Sequence, residues 1–105
     1  ETALEHDGPK YIQVSAPCML GWEFDSAETV NIAKLAVQTG IQPLYEIEHG
    51  ELSDVMSLSN RKPVEEYLEK QGRYSHLFSK DGGEDVIEEI QAFIDEQAEE
   101  LGLDQ

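Results

Sequence analysis

The period of the apolar positions changes several times along the chain, and each change marks an element. Residues 1–6 read as the end of a helix closed by Asp7-Gly8-Pro9, so the sequence is expected to be part of a longer chain. Residues 10–15 carry Tyr11, Ile12 and Val14 and predict a short strand. Residues 16–24 read as a loop. Asp25 then caps a helix, with Glu28 three places on in a capping-box arrangement. That helix runs to Thr39 with Val30, Ala33, Leu35, Ala36 and Val37 as its apolar face, until Gly40 caps it and Pro43 blocks its continuation. Leu44-Tyr45-Glu46-Ile47-Glu48 alternates apolar with acidic side chains and predicts a half-exposed strand. His49-Gly50 is a turn, and residues 51–58 return as the second strand of a hairpin.

The second half of the chain is helical in pattern. Pro63 is placed at the first helical position with Asn60 near the cap, and the helix spans residues 64–71 up to Gly72. Lys80-Asp81-Gly82-Gly83 is a linker. Residues 84–101 form the clearest amphipathic helix, with Val86, Ile87, Ile90, Phe93, Ile94, Ala98 and Leu101 on one side and acidic residues on the other. The sum is an α/β arrangement of a few strands with three main helices, its first strand-helix pair being one edge of a larger parallel sheet. There is no internal repeat.

Charge narrows the function classes. Acidic residues outnumber Lys plus Arg by 23 to 7 in 105 residues, for a net charge of -16. Nucleic-acid phosphates would be repelled, so nucleic acid is excluded as a partner. No run approaches the ~20 apolar residues of a membrane span, and no secretory leader pattern is visible. A single cysteine fits a reducing cytoplasm. The carboxylates are spread over helix faces rather than gathered in a tail, as in a halophilic protein.

The candidate chemistry centres on Cys18, which lies with the only tryptophan in Ser15-Ala16-Pro17-Cys18-Met19-Leu20-Gly21-Trp22. A lone cysteine makes no internal disulfide and no metal site of its own. It can supply one ligand to a site completed elsewhere, act as a nucleophile beside His6, His49 or His76, or pack as a small hydrophobe. No histidine spacing supports the nucleophile or a zinc site. Arg61, Lys62 and Arg73 flank one helix and suit either a partner's anions or local carboxylates, while Tyr67, Leu68, Tyr74 and Leu77 suit packing. Asp81-Gly82-Gly83 lacks the leading glycine and preceding strand of a diphosphate-binding Gly-Asp-Gly word and is not assigned to one.

Gly8-Pro9-Lys10-Tyr11-Ile12-Gln13-Val14-Ser15-Ala16-Pro17-Cys18 followed by Gly21-Trp22 resembles the C-terminal part of the β subunit in the pyruvate:ferredoxin (2-oxoacid:ferredoxin) oxidoreductase family. The resemblance continues through Ile32-Ala33-Lys34-Leu35-Ala36-Val37-Gln38-Thr39-Gly40 and Pro43-Leu44-Tyr45-Glu46. It ends with Arg61-Lys62-Pro63-Val64-Glu65-Glu66-Tyr67-Leu68 and Gln71-Gly72-Arg73-Tyr74-Ser75-His76-Leu77. It implies that residues 1–78 are the last domain of a thiamine-diphosphate-binding fold, with residues 79–105 a linker and acidic helix. It implies that Cys18 is one metal ligand of a [4Fe-4S] cluster whose other three thiolates precede this region, with Gly21-Trp22 as a shield against water. Thiamine diphosphate, Mg2+, coenzyme A, the 2-oxoacid, the other subunits and ferredoxin belong to the intact enzyme, and none of them has a mapped ligand in this sequence. On this reading the isolated region holds no cofactor and is not catalytic. A non-catalytic acidic interaction domain using its last helix is the alternative.

The halophilic reading has a direct consequence. Molar salt shortens the Debye length to about 3 Å and relieves self-repulsion. The melting temperature is therefore expected to rise continuously from low to molar KCl, and a curve that is flat or falls removes the reading.

Overall fold

Helix ends in this chain follow its caps, and the apolar seam between helices follows from where those ends fall. The computed structural model describes residues 2–104. A 3-10 turn at Thr2–Glu5 opens the chain, matching the expected helical end apart from Glu1, which lies outside the described residues. The Asp25 side chain accepts a hydrogen bond from the Ala27 amide at 3.1 Å and starts a 3-10 turn at Ser26–Glu28 that leads into helix α1, Thr29–Gln38. The capping box does not form. The Glu28 carboxylate instead accepts from Asn31 Nδ2 at 3.3 Å and lies 3.8 Å from Lys70 Nζ. Gly40 follows with φ of 88°, where a Cβ would lie 2.9 Å from Arg61 Cδ, so both its backbone and its space require glycine.

Strands β1, Tyr45–Glu48, and β2, Glu51–Val55, form the expected antiparallel hairpin through His49-Gly50. Both turn residues have positive φ, 53° and 82°, as a two-residue hairpin turn demands. These are the only strands among the described residues. Residues 10–15 have no partner strand and run without regular structure, so the expected first strand is not formed. The physical reason is simple: side-chain propensity without a neighbouring backbone leaves no ladder to assign.

Helix α2 spans Val64–Leu68, shorter than expected, with Pro63 at the cap rather than at the first helical position. The missing cap is supplied from far along the chain, by Gln91 Oε1, which accepts from the Val64 amide at 2.8 Å. A 3-10 turn at Gly72–Tyr74 and helix α3, His76–Ser79, follow. Helix α4 spans Gly83–Leu101. Gly83 sits where a Cβ would collide with the Leu77 carbonyl oxygen, so glycine lets α4 start directly against α3.

The core lies between α1, α2, α3 and α4 and contains Ile32, Leu35, Val64, Tyr67, Leu68, Leu77, Ile87 and Ile94. Ile32 is fully buried although the sequence pattern assigned the apolar face to its neighbours, and Val30 is exposed. Ile87, Ile94 and Ala98 of α4 are buried as expected, whereas Val86 and Phe93 face solvent because the seam is narrower than the apolar stripe. Past Gly102, with φ of 73°, Leu103 folds back and its amide donates to the Ala98 carbonyl at 2.9 Å. Leu103 is buried against the same end of the core.

Arg61 locks this end. Its Nη1 donates to Asp95 at 2.7 Å, and its Nε and Nη2 donate to the two oxygens of Asp104 at 2.9 and 3.1 Å. These bonds hold both carboxyls below the usual carboxylate range. Groups depressed in the folded state stabilise it fully above their unfolded value, near pH 4, and lose that contribution as pH falls through the folded value. Arg61→Ala is therefore expected to cost about 1 kcal/mol at neutral pH, with the gap to wild type closing below pH 4. Urea unfolding followed by circular dichroism at pH 7 and pH 3 checks this, and an equal gap at both refutes it.

Candidate functional site

Pro17 leads the chain into a single tight turn that carries Cys18. The Trp22 amide donates to the Cys18 carbonyl at 2.9 Å and the Phe24 amide to the Met19 carbonyl at 3.2 Å. The turn exits through Glu23, whose φ of 59° is left-handed, a conformation costing roughly 1–2 kcal/mol for a residue with a Cβ. That cost is offset by a strap from the far side of α2. The Gly72 amide donates to the Glu23 carbonyl at 2.7 Å, and the Arg73 amide to the Trp22 carbonyl at 3.3 Å. The approach is so close that a Cβ on Gly72 would lie 2.6 Å from Glu23 Oε2 and 2.7 Å from its Cβ.

Side chains reinforce the strap. The Arg73 guanidinium carbon lies 4.0 Å from the Trp22 ring centre and 4.5 Å from that of Tyr74. Its Nε donates to Gln71 Oε1 at 2.8 Å and its Nη2 reaches the Tyr67 hydroxyl at 3.4 Å. Buried Gln71 donates in turn to the Tyr67 carbonyl at 2.8 Å. Burial pushes the Tyr67 phenol up, so it stays neutral across the physiological range. Trp22 also meets Phe24 and Tyr67 edge-on, with centroids 6.3 and 6.5 Å apart. Trp22 is thus half core residue and half lid over its own turn.

Cys18 itself is exposed. Gly21 lies next to the sulfur, where a Cβ would make ordinary contact with Sγ at 3.5 Å. The amides of Met19, Leu20 and Gly21 donate to no protein acceptor among the described residues. The turn therefore presents a thiol together with free N–H donors, a combination suited to binding an anionic sulfur-ligated centre. Three further thiolates would be needed, and among the described residues no group of three His, Cys, Asp or Glu side chains converges as a metal site.

The other sequence candidates lie elsewhere. His6 Nε2 meets Glu48 at 2.7 Å and stacks edge-on with His49, which belongs to the hairpin turn. His76 starts α3. None is hydrogen-bonded to Cys18, and the nucleophile reading has no base. Asp81-Gly82-Gly83 forms the approach to α4. Arg61 binds carboxylates of its own chain, Lys62 is exposed, and Arg73 has no carboxylate within 4 Å among the described residues. Sequence reasoning missed Gly72 and Gln71, because nothing local announces a contact with a turn about fifty residues earlier.

Comparison with known proteins identifies relatives. Over 93 residues the chain is 52% identical to pyruvate synthase subunit PorB of Methanosarcina barkeri, a match covering 89% of this chain and 31% of that protein. Over 101 residues it is 50% identical to pyruvate synthase subunit PorB of Methanocaldococcus jannaschii, covering 96% and 32%. Over 96 residues it is 40% identical to ketoisovalerate oxidoreductase subunit VorB of Pyrococcus abyssi, covering 90% and 29%. The chain spans about a third of the length of the curated relatives it matches. No family model matches it.

If the strap positions the turn, Gly72→Ala and Arg73→Ala should both release it. The expected readouts are a red shift of Trp22 fluorescence and roughly tenfold faster hydrogen exchange at the amides of residues 22 and 24. Unchanged emission and exchange in both variants would show that the turn is held by other means.

Proposed function

We propose that this chain, which belongs to the PorB and VorB subunit family of 2-oxoacid oxidoreductases, is the C-terminal region of such a β subunit and supplies one thiolate, Cys18, to its [4Fe-4S] cluster. The observation that carries the reading is the turn itself: an exposed thiol, free amides around it, and a tertiary strap that fixes the whole. When bound, the cluster carries single electrons between an oxidised substrate and a carrier. The residues of this chain have three tasks. Cys18 provides one ligand, Pro17 and the Gly72–Arg73 strap fix its direction, and Trp22 with its stacked arginine limits water on one side.

The whole enzyme, on this reading, decarboxylates pyruvate or a related 2-oxoacid with thiamine diphosphate and Mg2+. It passes electrons to ferredoxin and the acyl group to coenzyme A. No residue of this chain is assigned to thiamine diphosphate, Mg2+, substrate or coenzyme A, and the isolated region has no activity of its own. The family name of the VorB relative leaves branched-chain 2-oxoacids as an alternative substrate class. Residues 10–15 add a strand to the sheet of the remaining subunit. Support for that comes from their β-favouring sequence and from the exposure of Tyr11, Ile12 and Val14 at 84%, 74% and 86%. Work takes place in the cytoplasm at high salt. No helix among the described residues is long and apolar enough to cross a membrane.

The test is made in the full-length subunit assembled with its complex. Cys18→Ala is expected to remove or destabilise one four-iron cluster, read as lost iron and acid-labile sulfide and as an altered reduced-state electron paramagnetic resonance signal. A cluster of unchanged amount and stability ends the assignment.

A further inference from the structure

The β1–β2 hairpin is a two-faced ribbon, and a bulge makes it so. Tyr45 pairs with Val55, Glu46 with Asp54, Ile47 with Leu52 and Glu48 with Glu51, with the irregularity between Glu46 and Ile47. Strict alternation along β2 would put Leu52 and Asp54 on one face and Glu51, Ser53 and Val55 on the other. The extra residue, Ser53, shifts the register, and its hydroxyl donates to the Glu46 carbonyl at 3.3 Å. Leu52 and Val55 then share a face with Tyr45 and Ile47, while Glu46, Glu48, Glu51 and Asp54 share the other.

Neither face is fully covered among the described residues. Tyr45, Ile47 and Leu52 are 51%, 59% and 46% exposed. They border a groove of about 450 Å3 completed by Ile41, Pro43 and Leu101, with Glu100 the only charged residue in its wall. On the acidic face the pairs Glu46–Asp54 and Glu48–Glu51 set like charges opposite each other, an arrangement that destabilises a hairpin. Only Glu48 has a hydrogen-bonded partner side chain among the described residues, the His6 imidazole at 2.7 Å. A two-stranded ribbon with two free edges and an open apolar face is marginal alone.

We propose that the apolar face of this ribbon and its groove dock an apolar segment flanked by Lys or Arg, carried by another polypeptide of the complex. Charge complementarity selects the occupant. A second copy of this chain would bring 23 acidic and 7 basic residues to a surface already crowded with carboxylates. A partner with basic flanks fills the groove with its apolar side chains and sets a cation against Glu100 in its wall. The inference rests on the reading of the chain as part of a multi-subunit enzyme.

The experiment places the photo-cross-linker p-benzoylphenylalanine at Tyr45 of the full-length subunit, expressed with the rest of its complex. After irradiation, cross-linked peptides are identified by mass spectrometry. The expected product joins position 45 to a peptide of a different subunit in which Lys or Arg flanks apolar residues. Leu52→Arg, which repels such flanks, and Leu52→Ser, which only removes the apolar contact, should both lower its yield, the first by roughly tenfold. A cross-link to the same subunit, to a second copy or to an acidic peptide overturns the proposal, as does no cross-link in a complex that assembles. A full-length subunit that co-purifies with no other chain overturns both this proposal and the multi-subunit reading beneath it. Loss of the Cys18 assignment with the cross-link intact overturns the functional reading alone.

Discussion

A chain of polar contacts from Val64 to Asp104 sets the geometry on which the core depends. Gln91 accepts from the Val64 amide and donates to Asp95 at 2.9 Å. Asp95 also receives Arg61, and Arg61 grips Asp104 with two nitrogens. One line of side chains thus caps α2, fixes its register on α4 and ties down the last residues. Each bond contributes only ~0.5–1.5 kcal/mol net. Their value lies in cooperation, because α2 is five residues long and too short to persist without tertiary support. With α2 fixed, Tyr67 and Leu68 enter the core and the Gly72–Arg73 strap arrives beneath the cysteine turn.

The two anchoring arginines are used in opposite ways. Arg61 is surrounded by carboxylates, its guanidinium held even more firmly protonated by Asp104 and Asp95. Arg73 is held by aromatic faces and neutral oxygens, with no carboxylate within 4 Å among the described residues. In a chain of net charge -16, the two arginines thus anchor the fold by different means, one through ion pairs and the other through ring stacking. The planar guanidinium suits this stacking in a way a lysine would not reproduce.

Much of this was visible in the sequence, and the failures share a cause. The hairpin was readable because His49-Gly50 forces its turn locally, and α4 because nineteen residues keep one period. The Ala16-Pro17-Cys18 word was readable as a motif. The missing features all depend on a distant partner. Residues 10–15 have strand composition but no neighbouring backbone. The α2 cap comes from a glutamine in mid-helix, where no capping rule looks. Ile32 is buried and Phe93 exposed because the seam was chosen by packing between helices, not by either helix alone. The bulge at Ser53 inverts the faces that simple alternation assigns to β2, so the ribbon's amphipathic character is hidden until its register is known.

The same charge that limits this chain's partners also explains how it can leave so much apolar surface open. Burying Tyr11, Ile12 and Val14 would contribute on the order of 5–8 kcal/mol, comparable to the whole stability of a small domain. An uncharged chain exposing such a segment and an apolar ribbon face would self-associate. Here an approaching copy meets a surface with more than three carboxylates for every basic group, and the repulsion falls with salt but does not change sign. Attraction is left only for surfaces unlike itself. A strand slot in a sheet suits the first segment, because its backbone donors and acceptors are unpaired along with its side chains. The ribbon, whose backbone is already paired, offers side chains alone and suits a partner's apolar ridge. The two exposed surfaces therefore differ in the kind of cover they require, and charge keeps a second copy of the chain from supplying either.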